Sequence, residues 1–221
     1  MHNVPIPLLM FVLFMAFVVS LIIWSARFAR KRTAEFSQVA QQIGFRFLGD
    51  TWRSPMLPSQ PSICLIQRAH GTYSNAMTGS TAGLKVSLFD YTFPVGKSSV
   101  TYTLAAFSQN LELPPFELRG ENIFDRIGDA FVHNDIDFES HPEFSRRYLL
   151  RSPDEAGTRQ IFTPSLLTYF EQIPSDKKWH VEAFGTALIL YRTSGPLRSA
   201  EIQSFLDETS SIARTILSSL E

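Results

Sequence analysis

An uncharged, almost wholly apolar run fills residues 6–24, and the basic residues Arg27, Arg30, Lys31 and Arg32 follow at once. A helix rises about 1.5 Å per residue, so about 20 such residues match a hydrocarbon core about 30 Å thick. A helix also pairs its own backbone amides, which lipid cannot do. Residues 1–26 are therefore expected to form a transmembrane anchor. No Lys or Arg precedes the run, and positive charge near a span favours the cytoplasmic side. The expected topology has the N-terminus outside and the C-terminal domain in the cytoplasm, with Trp24 at the inner interface. A cleaved signal peptide would carry its charge before a shorter apolar stretch. Ala16 and Ser20 are small residues one turn apart, a weak signal for helix pairing.

Charge narrows the partners. Without the four basic residues after the run, 16 basic and 21 acidic residues remain, a net of −5. A nucleic-acid binder would show a basic face. The basic cluster is read as a topology signal and a contact for anionic lipid. The one cysteine, Cys64, cannot form a disulfide within the chain and is read as a small buried apolar residue.

Beyond the anchor, residues 27–44 read as a juxtamembrane helix. Phe36, Val39, Ala40 and Ile43 share one face, and Gly44 is a stop. Residues 45–221 read as a single α+β domain. Phe45–Leu48 and Ile63–Gln67 are short strand candidates. Pro55, Pro58 and Pro61 make the stretch between them irregular. Residues 71–83, rich in Gly, Ser and Thr, read as a loop or a weakly patterned strand. Leu84 to Phe93 alternates clearly, but its apolar face switches near Leu88–Phe89, which predicts a bulge or burial on both faces. A turn at Pro94–Ser98 returns the chain as a partner strand through Ala106.

Leu113-Pro114-Pro115-Phe116 must be extended. Residues 121–131 look helical, and Phe144–Leu150 reads as a strand. Ser152, Pro153 and Glu155 spell a capped helix start, and Thr163-Pro164 opens a second short helix. Trp179–Phe184 and Ala187–Arg192 form a hairpin around Gly185. The final helix keeps one apolar stripe from Ile202 to Leu220. Hairpins followed by helices, without βαβ alternation, predict a transmembrane helix followed by a mostly antiparallel sheet with packed helices.

The most suggestive chemical segment is residues 133–143. His133, Asp135, Asp137, Glu139, His141 and Glu143 recur at every second position, so an extended strand would place them on one face. Imidazole and carboxylate suit zinc, manganese or iron, although one strand spans too far for all six to reach one ion. His133, Asp135, Asp137 and His141 are the weak metal candidates. The plainer reading is a solvated face, with Arg146, Arg147 and Arg151 pairing with Asp135, Asp137 and Glu139. Neither a phosphate-binding loop nor a serine nucleophile elbow is present in the sequence. No cofactor is expected, and the motifs do not decide for or against an enzyme.

Leu113–Arg119, Asp135–Phe138, Pro142–Ser145, Tyr148–Arg151 and Asp154-Glu155 together resemble a family of bacterial single-pass membrane proteins of unknown function. Phe89–Tyr91 and Ile161–Pro164 extend the likeness over about residues 84–192. The resemblance implies a bacterial origin and a membrane anchor, and carries no activity or site residues. The expected function is a non-enzymatic binding or scaffold module on the cytoplasmic face of the bacterial inner membrane. Its expected partners are the lipid bilayer and a membrane or envelope protein, with no nucleic acid. The alternative is a metal-assisted hydrolase built on residues 133–143.

Overall fold

The computed structural model describes residues 6–50, 71–120, 135–177 and 179–220. Cys64 and His133, the strand expected at 63–67, the proline-rich stretch after Asp50 and the helix expected at 121–131 lie outside the described residues.

One unbroken helix, α1, spans Ile6–Gln42. It is long and apolar enough to cross a membrane, and its most apolar window has no share buried within the molecule. Met10 to Trp24 and Phe28 are largely exposed, whereas Phe36 and Ala40 are fully buried. The helix therefore has two halves with different surroundings. Its stop is a Schellman motif. Gly44 takes φ +74°, the Gly44 N–H donates to the Gln41 carbonyl at 3.3 Å, and the Phe45 N–H donates to that of Ala40 at 2.7 Å.

Among the described residues six strands follow: β1 (Arg46–Gly49), β2 (Thr72–Thr81), β3 (Leu84–Val95), β4 (Ser98–Gly120), β5 (Tyr148–Arg151) and β6 (Trp179–Arg192). Every pairing is antiparallel. The region 71–83 is thus a full strand ending in a tight turn. Ala82 and Gly83 both take positive φ there, which matches the twist of the flanking strands. The face switch in β3 is burial on both sides, and the bulge at that level lies in the partner strand β2, whose register against β3 shifts between Ser74 and Met77. The β3–β4 register runs from Lys85 opposite Ser108 to Val95 opposite Ser98 without a shift. Val86 and Leu88 join one core cluster, and Phe89, Tyr91 and Phe93 join another.

β4 and β6 each double back. His180 and Tyr191, eleven residues apart in β6, would be separated by about 36 Å on a straight strand. Their rings lie 4.9 Å apart, and the Arg192 guanidinium sits 5.0 Å over the Trp179 ring. The chain therefore folds back at Gly185, where φ is +54°, but not as the expected hairpin: Trp179–Arg192 is one bent strand whose two halves both pair with β4 rather than with each other. β4 follows it round. Leu104–Ser108 pairs with Ala187–Tyr191, and Leu113–Arg119 pairs with His180–Gly185. Pro114 and Pro115 have no N–H to give a ladder, and the register shifts between Leu113 and Phe116. β3 flanks the first half of β4, and β5 flanks the second.

The remaining α-helices among the described residues are α2 (Pro142–Arg147), α3 (Glu155–Ile161), α4 (Pro164–Gln172) and α5 (Ile202–Ser218). The strand expected over Phe144–Leu150 is thus a short helix for its first half, because Pro142 opens a helical turn and the ladder begins only at Tyr148. α3 starts two residues later than its sequence suggests. Asp154 caps it by accepting from the Gly157 N–H at 3.0 Å, while the Ser152 hydroxyl instead donates to the Pro115 carbonyl at 2.8 Å. Thr163 caps α4 and Pro164 occupies its first turn, as expected. The buried stripe of α5 runs Ile202, Phe205, Leu206, Thr209, Ile212, Ala213 and Ile216. Buried residues of all five helices enter one cluster on a single face of the sheet. The second cluster is built from strand residues alone, and half of its buried members are aromatic. The molecule is α+β.

Candidate functional site

The polar groups most firmly held in the described fold lie where α1 meets the sheet. Asp90 stands in β3 between Leu88 and Tyr91 and is 1% exposed. Its two carboxylate oxygens accept four hydrogen bonds. Arg32 Nε donates to Oδ2 at 2.7 Å and Arg32 Nη2 to Oδ1 at 2.8 Å. Asn75 Nδ2 donates to Oδ2 at 2.8 Å and Thr103 Oγ1 to Oδ1 at 2.7 Å. The third guanidinium nitrogen, Nη1, donates to the Leu197 carbonyl at 2.7 Å, and the guanidinium lies 4.4 Å over the Phe36 ring. The forked Arg–carboxylate geometry is the strong form of ion pair.

Local sequence builds each part. Arg32 is one helical turn before Phe36, so it extends the buried face of α1. Asn75 sits at a bulge, where the β2–β3 register shifts between Ser74 and Met77, and takes φ +53°. That conformation, which Asn tolerates, turns its amide toward Asp90. Its Oδ1 accepts from the Thr33 hydroxyl at 2.8 Å. Thr103 Oγ1 accepts from the Leu197 N–H at 3.0 Å, tying the segment before α5 to the same centre. Ser199 adds a bond from its hydroxyl to Glu35 Oε2 at 3.1 Å. Four separate chain segments thus close on α1.

This arrangement corrects the reading of the basic cluster as topology and lipid contact throughout. Arg32 belongs to the fold. Two sequence signals point to it: its place on the Phe36 face, and an Asp set among apolar residues on a strand buried on both sides. Chemically the clamp is closed. All the lone-pair directions of Asp90 are occupied by protein donors, so it ties α1 to the sheet and has none left for a substrate.

Over its described residues, 135–143, the segment 133–143 is built differently from an alternating strand. Asp135 makes one isolated bridge to Arg151, and the chain then runs irregularly to α2. Ile136 and Phe144 are buried and Phe138 packs against the same core, with Phe138 and Phe144 edge to face at 5.7 Å. These apolar anchors set the path and separate the polar groups. Asp135 Oδ1 accepts from the Leu150 N–H at 3.0 Å. Burial raises the Asp135 pKa above the usual carboxylate value, against the lowering effect of that bond. Asp137 is exposed, and its backbone carbonyl accepts from Arg159 at 2.9 Å. His141 Nδ1 lies 3.3 Å from Glu171 Oε1. Among the described residues no three His, Cys, Asp or Glu side chains are grouped to hold a metal ion.

The neighbouring arginines also differ from expectation. Arg146 pairs with Glu143 at 2.6 Å, its neighbour on α2. Arg147 donates to the carbonyls of Glu171 and Ile173 at the end of α4. Orphan carbonyls at a helix end attract a cation more locally than a distant carboxylate does. Of these arginines Arg151 exerts its charge on Asp135, against the opposing effect of Asp137. A groove of about 550 Å³, lined by Glu112, Leu113, Pro114, Asp154, Gln160 and Leu220 among others, opens where β4 turns. Its Asp154 is already the cap of α3.

No protein-family model and no curated protein matches the sequence. A matching solved structure is the crystal structure of the mycobacterial trehalose monomycolate transport factor A, TtfA. The match has a TM-score of 0.56 at 13% identity and covers 87% of this chain and 96% of that one. At that identity the likeness is one of fold, and it takes in nearly the whole of both chains.

Proposed function

We propose that this chain is a single-pass membrane protein whose α+β domain is a non-enzymatic binding or scaffold module. The domain is held at the cytoplasmic face of a bacterial inner membrane, where it serves a membrane or envelope protein. One observation carries the reading. The apolar half of α1 is exposed from Met10 to Trp24 and at Phe28, while the same helix is locked to the sheet through Arg32. Exposed apolar surface on that scale calls for lipid or a partner. The closed chemistry of the clamp and the dispersed 135–143 groups favour a module over a hydrolase. The fold likeness to a transport factor supports an accessory role in moving an envelope component. The uncharacterised bacterial single-pass family remains the sequence resemblance that fits this picture.

The test is full-length protein in bacterial membranes with a C-terminal reporter. The protein is expected to stay in the membrane pellet after alkaline carbonate. A C-terminal fluorescent-protein fusion is expected to be bright, and the alkaline phosphatase fusion inactive. Release by carbonate would overturn the anchor, and an active phosphatase would place the domain on the other side.

A further inference from the structure

The direction of α1 relative to β3 places a second element near the bilayer, on the reading of residues 6–24 as a span. Phe45, just past the stop of α1, packs so closely on Gly79 that a Cβ there would lie 2.4 Å from its ring. Gly79 is the register partner of Val86. Arg32 meets Asp90, further along β3. α1 therefore runs opposite to β3, and its exposed half leaves Asp90 in the direction of the β3–β4 turn. Between those two levels β3 advances about 13 Å and the chain of α1 and its stop covers about 18 Å from Gly44 to Arg32.

From Asp90 the hairpin continues to Val95, about 17 Å further. Along α1 that corresponds to about 13–23 Å, or roughly nine to sixteen helical residues. The tip thus stands on the N-terminal side of Arg32, alongside the exposed apolar half of α1 between about the levels of Ala16 and Trp24. Its side chains suit that level. Pro94 and Lys97 are exposed, and Val95 is 50% exposed, one of the few large apolar residues so exposed outside α1. The tip is also stiff. Gly96 takes φ +60° in a two-residue turn, and Phe93 behind it stacks on Tyr91 at 5.7 Å.

We propose that the β3–β4 tip, Pro94–Lys97, is a second membrane contact, in which Pro94 and Val95 enter the interfacial layer and Lys97 reaches the phosphates of an anionic bilayer. The hairpin and α1 then hold the domain at two points, which fixes its rotation about the helix axis as well as its height.

The test uses the full chain with Cys64→Ser, reconstituted into vesicles of phosphatidylcholine and phosphatidylglycerol. Single cysteines at Val95→Cys, Leu21→Cys and Lys85→Cys carry an environment-sensitive fluorophore, and nitroxide lipids act as quenchers. Lys85 is exposed at the opposite end of β3 and serves as the aqueous reference. The label at 95 is expected to be quenched several-fold more than the label at 85, and the label at 21 most of all. Quenching at 21 with position 95 no different from 85 would overturn the hairpin contact and leave the anchor standing. No quenching at 21 would overturn the span itself, and the hairpin contact with it.

Discussion

Asp90 shows what one buried charge demands. A carboxylate removed from water costs several kcal/mol unless its partners are complete, and removing one member of such a pair typically costs about 3–5 kcal/mol. Asp90→Ala strands Arg32, whose side chain is 20% exposed, beneath Phe36. A loss of about 3 kcal/mol is expected in denaturant unfolding of the detergent-solubilised chain. Arg32→Met in the same background should recover part of it, because the orphaned cation is then gone. A loss under about 1 kcal/mol for Asp90→Ala would mean that water reaches the site and the clamp is not closed. Little of this was legible beforehand. Sequence shows Arg32 as one of four cations beside an apolar run, and only the fold separates it from Arg27, Arg30 and Lys31. The partners Asn75 and Thr103 are ordinary polar residues until a bulge and an antiparallel register bring them to Asp90.

The glycines at the junction of α1 and the sheet act by different physics. At Gly44 no atom lies within 4 Å of an added Cβ, so Gly44→Ala costs only the positive-φ penalty, about 1 kcal/mol. At Gly79 the backbone is ordinary, but the Phe45 ring fills the space. Gly79→Ala is expected to cost about 1–3 kcal/mol through overpacking. Thermal unfolding of both variants, alone and with Phe45→Leu, separates the two causes, since the smaller side chain should relieve only Gly79→Ala. Equal relief in both would refute the steric account. Elements with a strong local period were legible: the stop at Gly44, the β3–β4 hairpin, and helices α4 and α5; at Gly185 the sequence marked the bend but not that both flanking halves pair with β4. The path of residues 135–143 was not legible, because alternation of polar and apolar residues is also produced by a few aromatic anchors spaced along an irregular path. β2 was read weakly because Thr, Ser and Gly carry little apolar pattern. Its identity comes from pairing with β1 and β3.

Across the whole molecule, tyrosines with raised pKa values line the second face of the sheet. Burial, with a smaller contribution from Tyr91, pushes Tyr73 up to about 12. Burial also raises Tyr91 and Tyr102. Tyr191, which donates to Glu182 at 2.7 Å, is held well above 10 by burial and by that carboxylate. A phenol whose folded pKa exceeds its unfolded value lends stability below about pH 10 that is lost as pH rises through the folded value. The denaturation midpoint is therefore expected to hold to about pH 9 and fall steeply from pH 10 toward 12, and Tyr73→Phe should soften the fall. A midpoint unchanged to pH 11.5 would show that these rings titrate as exposed phenols.

The absence of any break in α1 has a mechanical consequence. A hinge between anchor and domain would let each move alone, but on the proposed reading of residues 6–24 as a span one helix is both the anchor and part of the core. Membrane helices tilt by about 20° on average and change tilt with bilayer thickness. Tilt of this helix is rotation of the whole domain, so the molecule is a lever: a few degrees in the bilayer become a displacement at the far edge of the sheet.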